Sequence, residues 1–213
     1  MAGSFPRVRA HRTMAHVGLG ANMGDAARTL RDAIEALCAL PQVRLVGVSR
    51  LYATAPVGPV AQPEFRNAAA TLEVTREDGL DAAALDLLGS LKRIERTLGR
   101  RPRERWGPRE VDLDLLVFGR NRLELDRPPG GRSIDAAVDR GAAARLLQVP
   151  HPEARERLFV LAPLADLVPG LVPPGWGETV EHARRRRERV EGPLAVRPIA
   201  RWDARAGDWV PIR

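Results

Sequence analysis

The sequence predicts an α+β fold, because β-rich runs alternate with two stretches of helical apolar spacing between residues 15 and 118. Residues 15–20 predict a short strand that ends in glycines, and Asp25 is a suitable N-cap for a helix that follows. Pro41 should end that helix. Its apolar positions are Leu30, Ile34 and Leu37.

Two strands, a long helix and a final strand follow. Residues 43–53 and 65–75 are rich in β-forming side chains, and the prolines and glycine of residues 54–63 predict a loop between them. Residues 77–98 predict a long amphipathic helix, and residues 111–118 predict the last strand. The order β-α-β-β-α-β is typical of ferredoxin-like folds, in which a four-stranded antiparallel sheet carries both helices on one face.

One main domain with additions at both ends is expected. Residues 14–177 should form this domain, with residues 1–13 as a loose N-terminal extension and residues 178–213 as a charged C-terminal extension. Residues 126–145, rich in Pro, Gly, Arg and Ala, predict an insertion or mobile loop. Residues 178–189 are charged throughout and predict a solvated helix.

The composition is that of a soluble globular protein, with 44% hydrophobic and 29% charged residues. No apolar run is long enough to cross a membrane. Cys38 is the only cysteine, so an internal disulfide is impossible, which fits a reducing compartment. We therefore expect a cytoplasmic protein. Trp202 and Trp209 indicate that the tail packs on something and does not extend freely into solvent.

The formal net charge of +7 is concentrated in one segment. From Lys92 to Arg109 there are eight cationic and two acidic residues. Such clustering favours a phosphate-rich ligand, because the forked donors of arginine match phosphate oxygens. For Arg100, Arg101 and Arg103, a solvated run of charge is an equally good interpretation.

Asp112 and Asp114 are the strongest candidates for a chemical role. They lie two apart in the predicted strand 111–118, so both side chains should project from the same face. Aspartate is disfavoured in strands, and two on one face repel each other unless a cation joins them. With Arg105 and Arg109 just upstream, the segment predicts a site for a divalent metal and a polyphosphate.

Several stretches of the chain are similar, in the same order, to one enzyme family. The most specific is residues 105–114, where Arg-Trp-Gly-Pro-Arg is followed by Asp-Leu-Asp. The other stretches are residues 17–25, 52–59, 62–69, 149–152 and 157–159. Over about residues 14–175 they resemble the 6-hydroxymethyl-7,8-dihydropterin pyrophosphokinases of folate biosynthesis, whose fold is also ferredoxin-like.

The resemblance implies an ATP-dependent diphosphokinase with two Mg²⁺ ions held by Asp112 and Asp114. The hydroxymethyl oxygen of the pterin attacks the β-phosphorus of ATP, the pyrophosphoryl group is transferred and AMP leaves. By their match to family positions, the expected catalytic residues are Arg105, Arg109, Asp112 and Asp114. The expected ATP contacts are Glu95, Arg101, Arg103, Arg105, Trp106, Arg109, His151 and Arg157. The expected pterin contacts are Thr54, Ala55, Val57, Phe65, Asn67, Trp106 and Phe159.

Two departures from the family pattern leave alternatives open. Leu146 stands about where an Arg often precedes the Val-Pro-His segment, so either Arg145 substitutes for it or that phosphate contact is absent. Loop lengths vary before Arg105. The family's loop arginine therefore corresponds to one of three residues, Arg100, Arg101 and Arg103.

Two other functions are compatible with the chain. A ferredoxin-like RNA-binding module would use the basic charge, but such modules stack bases on aromatic residues of the sheet, and the predicted strands have few. A homologue that binds pterin or nucleotide without turnover is compatible with Leu146, although the intact aspartate pair argues against it. We expect ATP and 6-hydroxymethyl-7,8-dihydropterin as partners, no nucleic acid, no membrane, and a monomer or weak homodimer.

Overall fold

The structure is a computed structural model that describes residues 11–56, 61–77, 79–103, 107–138 and 146–212. In this part of the chain it has nine strands and four α-helices, which confirms the α+β class. In chain order the elements are β1 (His11–Ala21), α1 (Ala26–Cys38), β2 (Val43–Val48), β3 (Leu51–Thr54), β4 (Phe65–Arg76), α2 (Leu80–Thr97), β5 (Asp112–Phe118), β6 (Leu123–Asp126), β7 (Leu146–Val149), α3 (Leu158–Leu167), α4 (Val180–Glu191), β8 (Val196–Asp203) and β9 (Asp208–Pro211).

The main sheet has seven strands in the order β5-β1-β4-β3-β8-β9, with β2 also paired to β4. The neighbouring strands are antiparallel. The predicted count of four strands is therefore wrong, for two reasons. The predicted strand 43–53 is interrupted at Ser49, whose hydroxyl accepts a hydrogen bond from the backbone N–H of Ala69 at 2.8 Å. The C-terminal extension adds two strands, and β6 and β7 form a separate pair.

α1 and α2 pack on one face of the main sheet and form the larger hydrophobic core with it. Asp25 caps α1, as predicted, by accepting a hydrogen bond from the backbone N–H of Arg28 at 3.1 Å. The buried side chains of both helices recur three or four residues apart, which gives each helix one apolar face. They include Leu30, Ile34 and Leu37 of α1 and Leu87, Leu91 and Ile94 of α2.

α3 packs on the opposite face of the sheet, and α4 packs against α3. Leu116 of β5 shares a second hydrophobic core with Leu161 and Leu164 of α3. Asp166 of α3 accepts a hydrogen bond from the hydroxyl of Tyr52, on β3, at 2.9 Å. The predicted arrangement with helices on one face thus holds for α1 and α2 only. The molecule has three layers, and the ligand-sized cavity described below lies in the layer of α3.

The predicted extensions and insertion are partly ordered elements of the fold. β1 begins at His11, so residues 11–13 belong to a strand, and the first ten residues lie outside the described part of the chain. The segment predicted as an insertion contains two short 3-10 turns, Pro129–Gly131 and Ile134–Ala137, before the undescribed residues 139–145. Across the described ranges, no helix combines the length and apolar character that a bilayer span requires.

The C-terminal hairpin of β8 and β9 extends the main sheet. β8 pairs with β3, and Trp209 of β9 is 8% exposed. The indole Nε1 of Trp209 donates a hydrogen bond to the backbone oxygen of Ser49 at 3.0 Å. Its ring meets Trp202 edge to face, with ring centroids 4.8 Å apart. The end of the chain therefore packs beside β3, as the two tryptophans indicated.

Trp209→Ala is expected to lower the free energy of unfolding by about 3–5 kcal/mol, because it removes a buried ring and the hydrogen bond to Ser49. Urea unfolding followed by circular dichroism measures this. Leu194, which is 77% exposed, supplies the control: Leu194→Ala should change the free energy by less than about 0.5 kcal/mol. A Trp209 variant as stable as this control would contradict the packing of the hairpin.

Candidate active site

A cavity of about 530 Å³ lies on the face of the sheet that carries α3. β1, β4 and β5 form its floor, and residues 107–109, 127–135 and 146–160 contribute its walls. Ten side chains predicted to belong to the site line this one cavity. They are Thr54, Ala55, Phe65, Asn67, Arg109, Asp112, Asp114, His151, Arg157 and Phe159.

Two glycines of β1 keep the floor of the cavity open. Gly20 is paired with Asp112 of β5 and Asn67 of β4, and Gly18 is paired with Asp114. Residues paired across antiparallel strands point to the same face. A Cβ atom at Gly20 would lie 3.1 Å from Oδ1 of Asn67. Any larger residue there would stand between the aspartates and the amide.

Asp112 and Asp114 face the cavity side by side, with side chains 29% and 39% exposed. Asp112 accepts a hydrogen bond from Arg100, and its other oxygen lies 3.6 Å from Nη1 of Arg109. Burial alone would raise the pKa of Asp112. The charges of Arg100 and Arg109 outweigh burial and hold this pKa well below that of an ordinary aspartate. Asp112 is therefore ionised at neutral pH.

A buried cluster of charges fixes β5 against α2. Glu95 of α2 is 2% exposed, and its Oε1 accepts hydrogen bonds from Lys92 and from the backbone N–H of Leu113, both at 2.7 Å. Lys92 also lies 3.8 Å from Asp114. Leu113 lies between the two aspartates, so the hydrogen bond from its backbone N–H to Glu95 fixes the position of both aspartates relative to the cavity. Glu95 is predicted to contact ATP, but it does not line the cavity, and protein donors surround its carboxylate.

Asp135 is a cavity-lining residue that the sequence did not indicate. It lies in the turn at 134–137, is 3% exposed, and accepts hydrogen bonds from Arg100 and Arg109, both at 2.8 Å. Burial alone would raise the pKa of Asp135, but these two arginines lower it overall. The segment 126–145 contains three aspartates, Asp126, Asp135 and Asp139, and nothing in the sequence distinguishes Asp135 from the other two.

The other part of the cavity has amide, hydroxyl and aromatic side chains. Nδ2 of Asn67 donates a hydrogen bond to Oγ1 of Thr54 at 2.8 Å, and both residues are 6% exposed. Phe65 is paired with Thr54 across β3 and β4, and Phe159 comes from the first turn of α3. Ala55 follows Thr54 on the same wall. This region offers flat surfaces beside one donor-acceptor group.

His151 and Arg157 line the cavity between β7 and α3. The backbone N–H of His151 donates to the backbone oxygen of Leu116 at 2.8 Å, and its Nδ1 accepts a hydrogen bond from the backbone N–H of Glu153 at 3.3 Å. Burial lowers the pKa of His151, although Asp114 partly opposes this. The guanidinium of Arg157 forms an ion pair with Glu153.

α4 holds the segment between His151 and Arg157. Arg186 donates hydrogen bonds to both carboxylate oxygens of Glu156 at 3.0 Å, and to the backbone oxygen of Arg155 at 3.2 Å. Arg155 in turn donates to Glu178 at 2.7 Å. The helix predicted to be solvated therefore has two cations, Arg186 and Arg187, that pair with Glu156 and anchor a wall of the cavity.

The remaining predicted residues either lie away from the cavity or fall outside the described part of the chain. Arg101 is exposed, and Arg103 donates a hydrogen bond to Glu110 at 2.5 Å; neither lines the cavity. Val57, Arg105 and Trp106 lie outside the described residues. Of the three candidates for the loop arginine, Arg100 is the one that lines the cavity. Cavity-lining residues that were not predicted include Lys92, Arg127, Asp135, Gln148 and Glu153.

Two carboxylates suit a metal that binds together with phosphates. In the portion of the chain that the structure describes, no three His, Cys, Asp or Glu side chains are grouped to hold a metal ion. Mg²⁺ usually binds through one or two carboxylates and completes its coordination with water and substrate phosphates. Asp112 and Asp114, which share a face and border open cavity space, fit this mode of binding.

Residues 16–169 match the family model described as 7,8-dihydro-6-hydroxymethylpterin-pyrophosphokinase (HPPK). A relative from Pseudomonas aeruginosa, named 2-amino-4-hydroxy-6-hydroxymethyldihydropteridine pyrophosphokinase, is 40% identical over 156 residues, which cover 73% of this chain and 81% of the relative. A relative of the same name from Methylorubrum extorquens is 37% identical over 184 residues, which cover 84% of this chain and 99% of the relative.

Solved structures share the fold. A crystal structure of wild-type HPPK-DHPS from Plasmodium falciparum with SDX-DHP superposes with a TM-score of 0.67 at 13% identity, over 96% of this chain and 50% of that one. A structure described as HPPK-DHPS in complex with substrates gives a TM-score of 0.65 at 12% identity, over 94% and 48%. The chain thus spans about half the length of these proteins.

Glu95→Gln is expected to lower the free energy of unfolding by about 3–5 kcal/mol, because it leaves the buried charge of Lys92 without its nearest partner. Urea unfolding measures this, and Glu35→Gln at an exposed position of α1 should change the value by less than about 0.5 kcal/mol. Unchanged stability together with weaker ATP binding would instead show that Glu95 contacts the nucleotide.

Proposed function

The chain belongs to the 7,8-dihydro-6-hydroxymethylpterin-pyrophosphokinase family, and we propose that it transfers the pyrophosphoryl group of ATP to the hydroxymethyl oxygen of 6-hydroxymethyl-7,8-dihydropterin. The products are the pterin diphosphate and AMP, in folate biosynthesis. The observation that carries this proposal is that one cavity combines a carboxylate pair among arginines with an amide and two phenyl rings.

Arg109 and Arg157 are assigned to the triphosphate of ATP. A triphosphate carries about four negative charges near neutral pH, and these must be offset before an oxygen can attack phosphorus. Both guanidinium groups line the cavity, and their forked donors can address two phosphate oxygens at once. His151 is assigned to the same nucleotide. Because burial lowers its pKa, its ring is neutral at pH 7. Nδ1 accepts a hydrogen bond from the backbone N–H of Glu153, so Nε2 carries the proton and can donate to the nucleotide.

Asp112 and Asp114 are assigned as the ligands of two Mg²⁺ ions. When bound, the ions supply positive charge that offsets the charge of the phosphates. The role of the chain is to aim both carboxylates at the cavity and to keep Asp112 ionised. The cluster of Lys92, Glu95 and Leu113 fixes their position, and the arginine charges keep the pKa of Asp112 low.

The pterin is assigned to the region of Thr54, Asn67, Phe65 and Phe159. An amide can match the donor-acceptor edge of a pterin, and the Thr54 hydroxyl fixes the orientation of Asn67. Phe65 and Phe159 supply apolar faces for the flat ring. Asn67 and Asp112 are both paired with Gly20, so the two subsites are adjacent. Such proximity converts an encounter of two substrates into a reaction within one complex.

The sheet order supports a more specific description of the fold. The strand order is β5-β1-β4, with β2 and β3 both paired to β4. This is the order expected for a ferredoxin-like sheet whose second strand in sequence is divided into β2 and β3 beside β4. We propose this description for the part of the chain that ends at β5. The cytoplasmic location and the monomeric or weakly dimeric state stay predictions.

The nucleotide product tests the proposed function. The protein is incubated with ATP, Mg²⁺ and 6-hydroxymethyl-7,8-dihydropterin, and the nucleotides are separated by chromatography. We expect AMP in an amount equal to the pterin diphosphate, and none when the pterin is omitted. ADP as the product, or AMP that forms without the pterin, would overturn the proposal.

Asp114→Asn should lower kcat about a thousandfold, or about 4 kcal/mol of transition-state stabilisation, because it removes a proposed metal ligand. The midpoint of thermal unfolding should hardly change, since Asp114 is 39% exposed. Asp126→Asn, at an exposed position of β6, is the control and should retain full activity. More than a tenth of wild-type activity in Asp114→Asn would exclude this metal assignment.

Arg127→Gln should raise the KM for ATP about fivefold, about 1 kcal/mol, with a smaller rise for Arg127→Lys. Arg127 lines the cavity, and its Nε donates to the backbone oxygen of Leu146 at 2.9 Å. It thus brings a cation to the position where Leu146 provides none. Steady-state kinetics measures the change, with exposed Arg120→Gln as the control. Equal KM values for all variants would show that Arg127 makes no phosphate contact.

A further inference from the structure

One carboxylate connects the positively charged residues on one side of the cavity. Oδ2 of Asp135 accepts hydrogen bonds from Nη2 of Arg100 and from Nη1 of Arg109, both at 2.8 Å. Its Oδ1 accepts a hydrogen bond from the backbone N–H of Arg103 at 3.1 Å. Because Asp135 is 3% exposed, the cost of burying its charge is offset only while these donors stay in place.

Arg109 has two acidic neighbours at unequal distances. Its Nη1 lies 2.8 Å from Oδ2 of Asp135 and 3.6 Å from Oδ2 of Asp112. The shorter contact is the stronger one, so Asp135 keeps the guanidinium from closing on Asp112. Without the charge of Asp135, Asp112 would be the nearest anion to Arg109. If Arg109 then moved into hydrogen-bond contact with Asp112, it would occupy Oδ2 of Asp112, which is otherwise available to a ligand.

Arg100 links the same two aspartates from the interior. Its side chain is 3% exposed; Nη1 donates to Asp112 and to the backbone oxygen of Val111 at 2.9 Å, and Nη2 donates to Asp135. The planar guanidinium therefore holds Asp112 and Asp135 at a fixed separation. Asp135 also ties down the backbone at Arg103, at the edge of the basic loop.

We propose that Asp135 is a positioning residue for the nucleotide subsite. It orients Arg109 toward the triphosphate, and it keeps an oxygen of Asp112 available. The identity of the ligand rests on the proposed function. Asp135 lies in the segment predicted as an insertion, outside the short stretches on which the family resemblance was based.

The test uses Asp135→Asn, which keeps the size of the side chain and removes its charge, and Asp135→Glu, which keeps the charge and lengthens the side chain. Asp126→Asn, exposed in the same segment, is the matched control. For each protein, the measurements are kcat, the KM for ATP, the KM for the pterin and the midpoint of thermal unfolding. Calorimetry gives the Kd of a non-hydrolysable ATP analogue with Mg²⁺.

For Asp135→Asn we expect the KM for ATP and the Kd of the analogue to rise about tenfold, and the KM for the pterin to stay within about twofold. For Asp135→Glu, the KM for ATP and the Kd of the analogue should rise about threefold, between the values of Asp135→Asn and wild type. Asp126→Asn should match wild type. A general distortion of the cavity would raise both KM values, so a rise confined to the KM for ATP identifies positioning at the nucleotide subsite.

An unchanged Kd for the analogue in Asp135→Asn would overturn the proposal, and so would equal rises in both KM values. Tighter binding would overturn it too, because Asp135 would then be competing with phosphate. If Asp135→Asn does not fold, the same comparison of the KM for ATP with the KM for the pterin is made with Asp135→Glu. Wild-type protein that binds the analogue but produces no AMP overturns the proposed function alone. Wild-type protein that does not bind the analogue overturns both.

Discussion

The pairing of β1 with β5 determines where the chemistry of this protein can take place. Asp112 and Asp114 are paired with Gly20 and Gly18, while Leu113, between them, is buried in the core on the other face. Side chains alternate along a strand, so a shift of one residue would bury the aspartates and expose the leucine. The burial of Leu113 in the core thus fixes the direction in which the carboxylates point. Because Gly18 and Gly20 have no side chains, the space in front of the carboxylates stays open.

Charges on both sides of β5 then fix the position of these carboxylates. Glu95 and Lys92 fix the strand from the side of α2, and Arg100 and Asp135 fix it from the loop side. Buried ion pairs of this kind add little net stability, because desolvation offsets much of their attraction. What they provide here is position: each charged group has its partners defined before a ligand arrives.

The parts of the fold with a local signal were predictable from the sequence. The spacing of Leu30, Ile34 and Leu37 identified α1, and the run that contains Asp112 and Asp114 identified β5 and placed both aspartates on one face. The break at Ser49 was not predictable, because it depends on hydrogen bonds to β4. The same applies to Asp135, whose partners are distant in the chain. Glu95 matched a family position, but only the structure shows how deeply its carboxylate is buried.

A crystal structure with Mg²⁺, a non-hydrolysable ATP analogue and 6-hydroxymethyl-7,8-dihydropterin tests the central claim most directly. The account predicts metal density between the carboxylates of Asp112 and Asp114 and the phosphates, with Arg109 on the triphosphate and the pterin between Phe65 and Phe159. The hydroxymethyl oxygen should then face the β-phosphorus. A nucleotide bound away from the aspartate pair, or a pterin outside the region of Asn67, would contradict the account.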